Sequence, residues 1–314
     1  MKKLITIVAA ILCAGAVYAQ DLATATETFN NGVTANEAGN VEMALQNFKE
    51  ALVMAEGLGE AGADIVANCK SSIPILMFSL AKKAVNETEY DKAVAGLKET
   101  IEVATKYGVD NVADEATVLI PQVLMQKANG FFNDKDYAAA AEAYKAVLAE
   151  DAANGMASLR LGAALKATGD KAGAVEAFEA ALANGQDKAA SKQLINLFQQ
   201  DAAASLKAKK YDDAIAAALQ SNKYGENAKA YQIAGTAASN GGKTKQAIEY
   251  FQKYIELAPD AKNAGDILFS IAVSYQQLKD NAKAKEYYQK AIADPGKINP
   301  NNLKNAQAMI AAIK

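Results

Sequence analysis

The sequence predicts an all-α fold, a solenoid of stacked helix pairs, and three observations point there. Seven times an alanine stands twelve residues after a small residue: Gly32/Ala44, Ala81/Ala93, Ala128/Ala140, Gly162/Ala174, Ala202/Ala214, Gly235/Ala247 and Ala272/Ala284. Four residues beyond each alanine comes Phe48, Leu97, Tyr144, Phe178, Ala218, Phe251 or Tyr288, bulky in all but the fifth. Small residues at fixed offsets let antiparallel helices approach closely, and the bulky residue fills the space that the next pair leaves open. Third, 51% of the residues are apolar with only 20 glycines and 5 prolines, and no segment alternates apolar with polar residues as a strand would.

Turns between the two helices of a pair are expected at Gly39-Asn40, Lys135-Asp136-Tyr137, Gly169-Asp170, Lys209-Lys210-Tyr211, Gly242-Lys243 and Lys279-Asp280. The fourth copy is the clearest, with Leu161-Gly162, Gly169-Asp170, Ala174, Phe178 and Ala181-Leu182. The sixth runs Tyr231, Gly235, Gly242, Ala247, Phe251 and a closing Pro259. This pattern resembles the tetratricopeptide repeat over nearly the whole chain after residue 24. The resemblance implies a right-handed superhelical solenoid of about seven helix pairs, occupying residues 20–299. Its units lie near 25–58, 74–107, 121–154, 155–188, 195–228, 228–261 and 265–298.

Successive repeat alanines are 49, 47, 34, 40, 33 and 37 residues apart, against about 34 for the family. The first units therefore carry extra residues. Ile73-Pro74-Ile75-Leu76-Met77 recurs 47 positions on, as Ile120-Pro121 through Met125, which marks a lengthened unit that was duplicated. The prolines are expected at or near unit boundaries. The fifth unit has Ala218, Ser221 and Asn222 where bulky or apolar residues belong, and predicts a looser seam. Residues 300–314 predict a capping helix, with Asn301 or Asn302 as its N-cap and Leu303, Ala306, Met309, Ile310 and Ile313 on the stripe that hides the end of the array.

Residues 1–19 read as a secretory signal peptide. Lys2 and Lys3 precede an apolar run from Leu4 to Val17 that is short for a bilayer, and Val17-Tyr18-Ala19 offers small residues for cleavage before Gln20. Leu12 before Cys13 argues against a lipid anchor. The Ala19-Gln20 junction resembles those of exported Bacteroidetes proteins, which implies the periplasm or the extracellular space, with peripheral association at the outer membrane as a variant. Cys69 is then the only mature cysteine, either a small buried residue or a thiol for an intermolecular disulfide.

Absences and weak motifs bound the chemistry. There is no histidine, which removes histidine triads and most zinc sites. Gly57-Leu58-Gly59-Glu60-Ala61-Gly62 spells a dinucleotide fingerprint, but follows a helix rather than a strand. Ala237 through Gly242-Lys243-Thr244 imitates a phosphate loop with alanine in place of its first glycine, at a position already assigned to a turn. Asp110, Asp114 and Glu115 fit no calcium loop and read as charge bias at a helix start. No catalytic residue, metal or cofactor is assigned.

Residues 21–150 hold 20 acidic and 10 basic side chains, whereas residues 151–314 hold 16 and 21. Such a division can steer a charged partner or favour self-association of copies. Nucleic acid is not expected, because Arg160 is the sole arginine and the lysines are scattered among acids.

In the repeat family the first helix of each pair lines the groove. Matching positions here give Gln122, Met125, Gln126, Asn129, Arg160, Asn196, Gln199, Gln200, Gln232 and Thr236 as the candidate partner-binding residues, with Phe29, Phe78, Ser79, Lys82 and Phe269 nearby in the pattern. Amides both donate and accept, which suits the backbone of an extended peptide. They are expected to lie off the packing seams. The family's lysine–asparagine carboxylate clamp is missing. The function expected is a non-enzymatic protein-interaction scaffold or adaptor in the cell envelope. Glycan or small-ligand capture is the alternative, weakened by the lack of tryptophan, and a nucleotide-dependent enzyme ranks last.

Overall fold

A computed structural model describes residues 2–313, with side chains from Ala19 onward, and every regular element among them is helical. The leader reading therefore falls almost wholly outside the described side chains. First helices are α1 (Lys2–Glu37), α3 (Ala63–Asn86), α5 (Asp110–Asn133), α7 (Gly155–Thr168), α9 (Asp187–Lys207), α11 (Ala228–Asn240) and α13 (Ala264–Gln277). Second helices are α2 (Val41–Glu56), α4 (Tyr90–Tyr107), α6 (Tyr137–Glu150), α8 (Lys171–Ala183), α10 (Tyr211–Ser221), α12 (Thr244–Leu257) and α14 (Asn281–Ile292), and α15 (Pro300–Ala312) follows them. Two compact units result, Met1–Asp170 and Lys171–Lys314, with α7 in the first and α8 in the second.

The spacing seen in the sequence is a packing rule. All seven repeat alanines are fully buried, and each bulky residue four positions on is buried as well. Where the small partner is glycine, the reason is direct. A methyl on Gly32 would lie 2.8 Å from the Phe48 ring, and one on Gly235 2.5 Å from Phe251 Cδ1. In these two pairs the ring of the second helix rests on the bare backbone of the first.

The turns follow the same register. Five residues before each repeat alanine, one residue takes the left-handed conformation: Gly39, Thr88, Lys135, Gly169, Lys209, Gly242 and Lys279. The next residue's N–H then donates to a carbonyl five positions back, as from Asn40 to Ala35 at 2.8 Å and from Asp280 to Tyr275 at 3.0 Å. That bond closes the first helix as a Schellman motif. The same residue opens the second helix, where Asn40, Asp136 and Asp280 accept from the backbone N–H three residues on. Thr88 is the outlier, because a β-branched side chain is disfavoured at its φ of 61°. Thr88→Gly is expected to raise stability by about 1 kcal/mol, the strain relieved exceeding the added freedom of the unfolded chain. A urea titration that shows no change, or a loss, would contradict this.

The extra residues of the lengthened units are helical. They extend α3 and α5 at their N-terminal ends to 24 residues each and α9 to 21, so the expected starts at 74 and 121 fall inside helices. Pro74 and Pro121 are each the twelfth residue of their helix rather than boundary markers. Proline within a helix forfeits one backbone bond. Here tertiary packing compensates: Pro74 is fully buried, beside the buried Ile73, Leu76 and Met77.

Two further expectations are corrected. The fifth seam is not loose, since Ala202, Ala218 and Ala234 pack together fully buried and Ser221 Oγ donates to the Ala218 carbonyl at 2.7 Å. Small residues here bring helices closer instead of leaving a gap. The last helix is capped by Asn299, whose side chain accepts from Asn301 N at 2.9 Å, so that Pro300 takes the first helical position it favours. Ala306 and Ile313 then bury against Ala272, Ala284 and Tyr288, with Met309 and Ile310 packed alongside. Cys69 is fully buried, and burial pushes its thiol up to about 11, a small core residue with little thiolate character.

Candidate functional site

The extension of α5 creates a feature that a repeat of ordinary length would lack. Its added turns lie beside α3, and between the two first helices opens a shallow cleft of about 440 Å³ lined by Phe78, Lys82, Asp114, Glu115, Val118, Leu119 and Gln122. Phe78 is buried and forms part of the floor. Val118 is 63% exposed and presents an aliphatic side chain to solvent at the edge of the cleft. Lys82 reaches over Phe78 with Nζ 4.5 Å from the ring centroid, a cation–π contact. Asp114 and Glu115 form the acidic wall, and among the described residues neither they nor Lys82 has an ion-pair partner. Ion pairs do form elsewhere in this unit, as in Lys83–Glu42 at 2.8 Å, Lys98–Glu150 at 2.7 Å and Lys127–Asp91 at 2.5 Å. The cleft therefore combines an apolar floor, an exposed aliphatic residue and three charges left open.

The ten residues expected to bind divide equally between the compact units. In the first, Gln122 lines the cleft, Gln126 is exposed and Met125 is half-buried on the same helix. Asn129 is already engaged, because its Oδ1 accepts from the buried Tyr144 hydroxyl at 2.7 Å. Burial raises the pKa of that phenol, while the Arg160 charge opposes the rise. Arg160 lies 5.7 Å over the Phe132 ring, and Phe132 meets Tyr144 edge-on. In the second unit, Asn196 and Gln200 are exposed on α9, and Thr236 Oγ1 donates to the Gln232 carbonyl one turn back at 2.8 Å. Gln199 departs from expectation. It is buried, and its Nε2 donates at 2.6 Å to Asn227 Oδ1, the same oxygen that caps α11 by accepting from Ala230 N. Asn129 and Gln199 thus lie on packing seams, where an amide resolves a buried polar need instead of offering itself to a partner.

The weak motifs resolve as turns. Gly59–Gly62 is a single 3-10 turn, in which Gly62 backs onto the Ala55 carbonyl so closely that no side chain fits. Gly242 takes φ of 73° in the α11–α12 turn, and Lys243 pairs with Asp212 at 2.6 Å. Asp110 stands in the first turn of α5 as helix-start charge does, but Asp114 and Glu115 face the cleft. Helix-start bias explains only one of the three; the spacing of 47 signalled added residues in this unit without fixing where they lie.

Tetratricopeptide-repeat models match residues 125–189, 228–261 and 265–293, so these segments carry that repeat. Among curated proteins, the photosystem I assembly protein Ycf3 of Synechococcus sp. (strain CC9311) is 32% identical over 93 residues, 30% of this chain and 53% of that protein. A counterpart from Prochlorococcus marinus is 35% identical over 75 residues, 24% and 43% respectively. The chain spans about half the length of the curated relatives it matches. Similar solved structures include YrrB, a TPR protein with an unusual peptide-binding site, at 20% identity and a TM-score of 0.34 over 59% of this chain and 91% of that one. MamA is similar at 22% identity and a TM-score of 0.34, covering 55% and 90%.

Proposed function

We propose that this chain is a non-enzymatic scaffold or adaptor of the cell envelope that captures a protein partner on its first helices, with the α3–α5 cleft as the anchor point. The observation that carries the proposal is the exposed Val118 beside a buried aromatic floor, framed by three charges that have no ion-pair partner among the described residues. An extended peptide suits such a surface, its apolar side chain entering the cleft while Gln122 and Gln126 offer hydrogen bonds. The repeats themselves belong to a class that serves protein interaction. The curated relatives are named for an assembly role; the matched length is under a third of this chain, so the general scaffold role is proposed and not the photosystem.

A photoreactive phenylalanine derivative at position 118 tests this in cells. A discrete protein adduct is expected from that position and none from positions 145 or 253 on second helices. Adducts confined to the latter would move the working surface to the second helices.

The envelope assignment rests on the leader. Mature protein is expected to begin at Gln20, with Ala19 removed from its N-terminus, by N-terminal sequencing and intact mass of exported material. Full-length chain beginning at Met1 in washed membranes would overturn it.

A further inference from the structure

The chemistry of the cleft narrows the partner. We infer that the α3–α5 cleft takes a cationic amphipathic peptide segment, one aliphatic side chain seated on Phe78 and Val118 and flanking lysine or arginine side chains paired with Asp114 and Glu115. This rests on the reading that the first-helix face captures a peptide, and adds the charge and anchor type.

Three observations converge on it. The acidic wall has two carboxylates without an ion-pair partner among the described residues, against one lysine that already lies on an aromatic ring. The surrounding field has the same sign, since residues 21–150 carry 20 acids and 10 bases. Charge of that sign raises encounter rates with a cationic segment and disfavours an anionic one. The apolar component is the exposed Val118, which no element of the first unit covers. Lys82 lies over Phe78, and its flexible stem lets it move aside for the incoming aliphatic side chain.

The test uses the purified mature chain and fluorescence anisotropy at low salt, with three labelled peptides. The first contains leucine, serine and lysine; the second has glutamate for lysine; the third has serine for leucine. The lysine peptide is expected to bind about tenfold tighter than the glutamate peptide, as two exposed ion pairs become two repulsions. The leucine-free peptide should bind several-fold more weakly than the first. In Asp114→Asn/Glu115→Gln the preference for lysine over glutamate should disappear, and in Lys82→Gln the lysine peptide should bind about threefold tighter. All three side chains are exposed, so thermal melts should coincide with that of the parent. Equal affinity for the two charge forms, preference for glutamate, a preference that survives in the double variant, or no binding of any peptide would overturn the inference. Capture of a partner at position 118 that contains no cationic amphipathic segment would overturn the inference and leave the scaffold proposal standing.

Discussion

Phe251→Ala is expected to destabilise the second compact unit by about 3–5 kcal/mol, the range for removing a buried aromatic ring. Phe251 is 3% exposed in a core with Ala214, Ala247, Ile248, Ile267 and Ile271, and its ring lies against the bare backbone of Gly235. Truncation leaves a cavity that neither side can close, because Gly235 has no side chain to move into it. The converse change is equally informative. Alanine usually improves a helix over glycine by about 1 kcal/mol, yet a methyl on Gly235 would lie 2.5 Å from the ring. Gly235→Ala should therefore cost roughly 1–3 kcal/mol as overpacking, whereas Gly130→Ala, with nothing within 4 Å, should gain about 0.5–1 kcal/mol. Urea unfolding with residue-resolved exchange should show residues 171–314 losing protection first in Phe251→Ala. An even loss along the whole chain would contradict the nearest-neighbour energetics of stacked repeats.

Removing the closing helix, residues 300–314, is expected to cost on the order of 3 kcal/mol. Met309, Ile310 and Ile313 pack on the seventh pair, and each such side chain contributes about 1.5–3 kcal/mol when fully buried, less where it is half-buried. Polar ties go with it, including Asn302 Nδ2 to Asp266 Oδ1 at 2.9 Å and Gln276 Nε2 to Met309 Sδ at 3.6 Å. Tyr288, now 1% exposed, would face water. Hydrogen exchange should quicken across α13 and α14 and change little in α9. Unchanged exchange in α13 would show that α15 is not a cap.

Much of the fold was legible because the repeat constrains residue size at positions where helices touch. The twelve-residue spacing reported burial at every alanine, and the turns at Lys135, Lys209 and Lys279 were visible even though lysine holds a left-handed position that glycine would fill more easily. Proline misled, because the rule that it ends helices is local, while the packing that keeps Pro74 inside α3 is tertiary. The expected cap, Asn301 or Asn302, lies past the true one for a related reason: a cap there leaves Pro300 outside the helix, whereas Pro300 is the residue that starts it and Asn299 the cap. The candidate site was less legible. Amides on the first helices were identifiable by register, but whether one faces solvent or a neighbour depends on the adjacent pair, as Gln199 and Asn227 demonstrate. The cleft was hidden because it joins residues of two units, Lys82 with Asp114 and Val118, through an extension whose place in the unit spacing alone does not specify.

The central claim is that the first-helix face of α3 and α5 receives the partner. Hydrogen exchange on the chain, free and bound to the protein captured at position 118, tests it most directly. Slowed exchange at residues 75–82 and 114–122, with no change across 137–150 of α6, is the predicted result. Protection centred on α6 or the other second helices, with 114–122 unaffected, would contradict it.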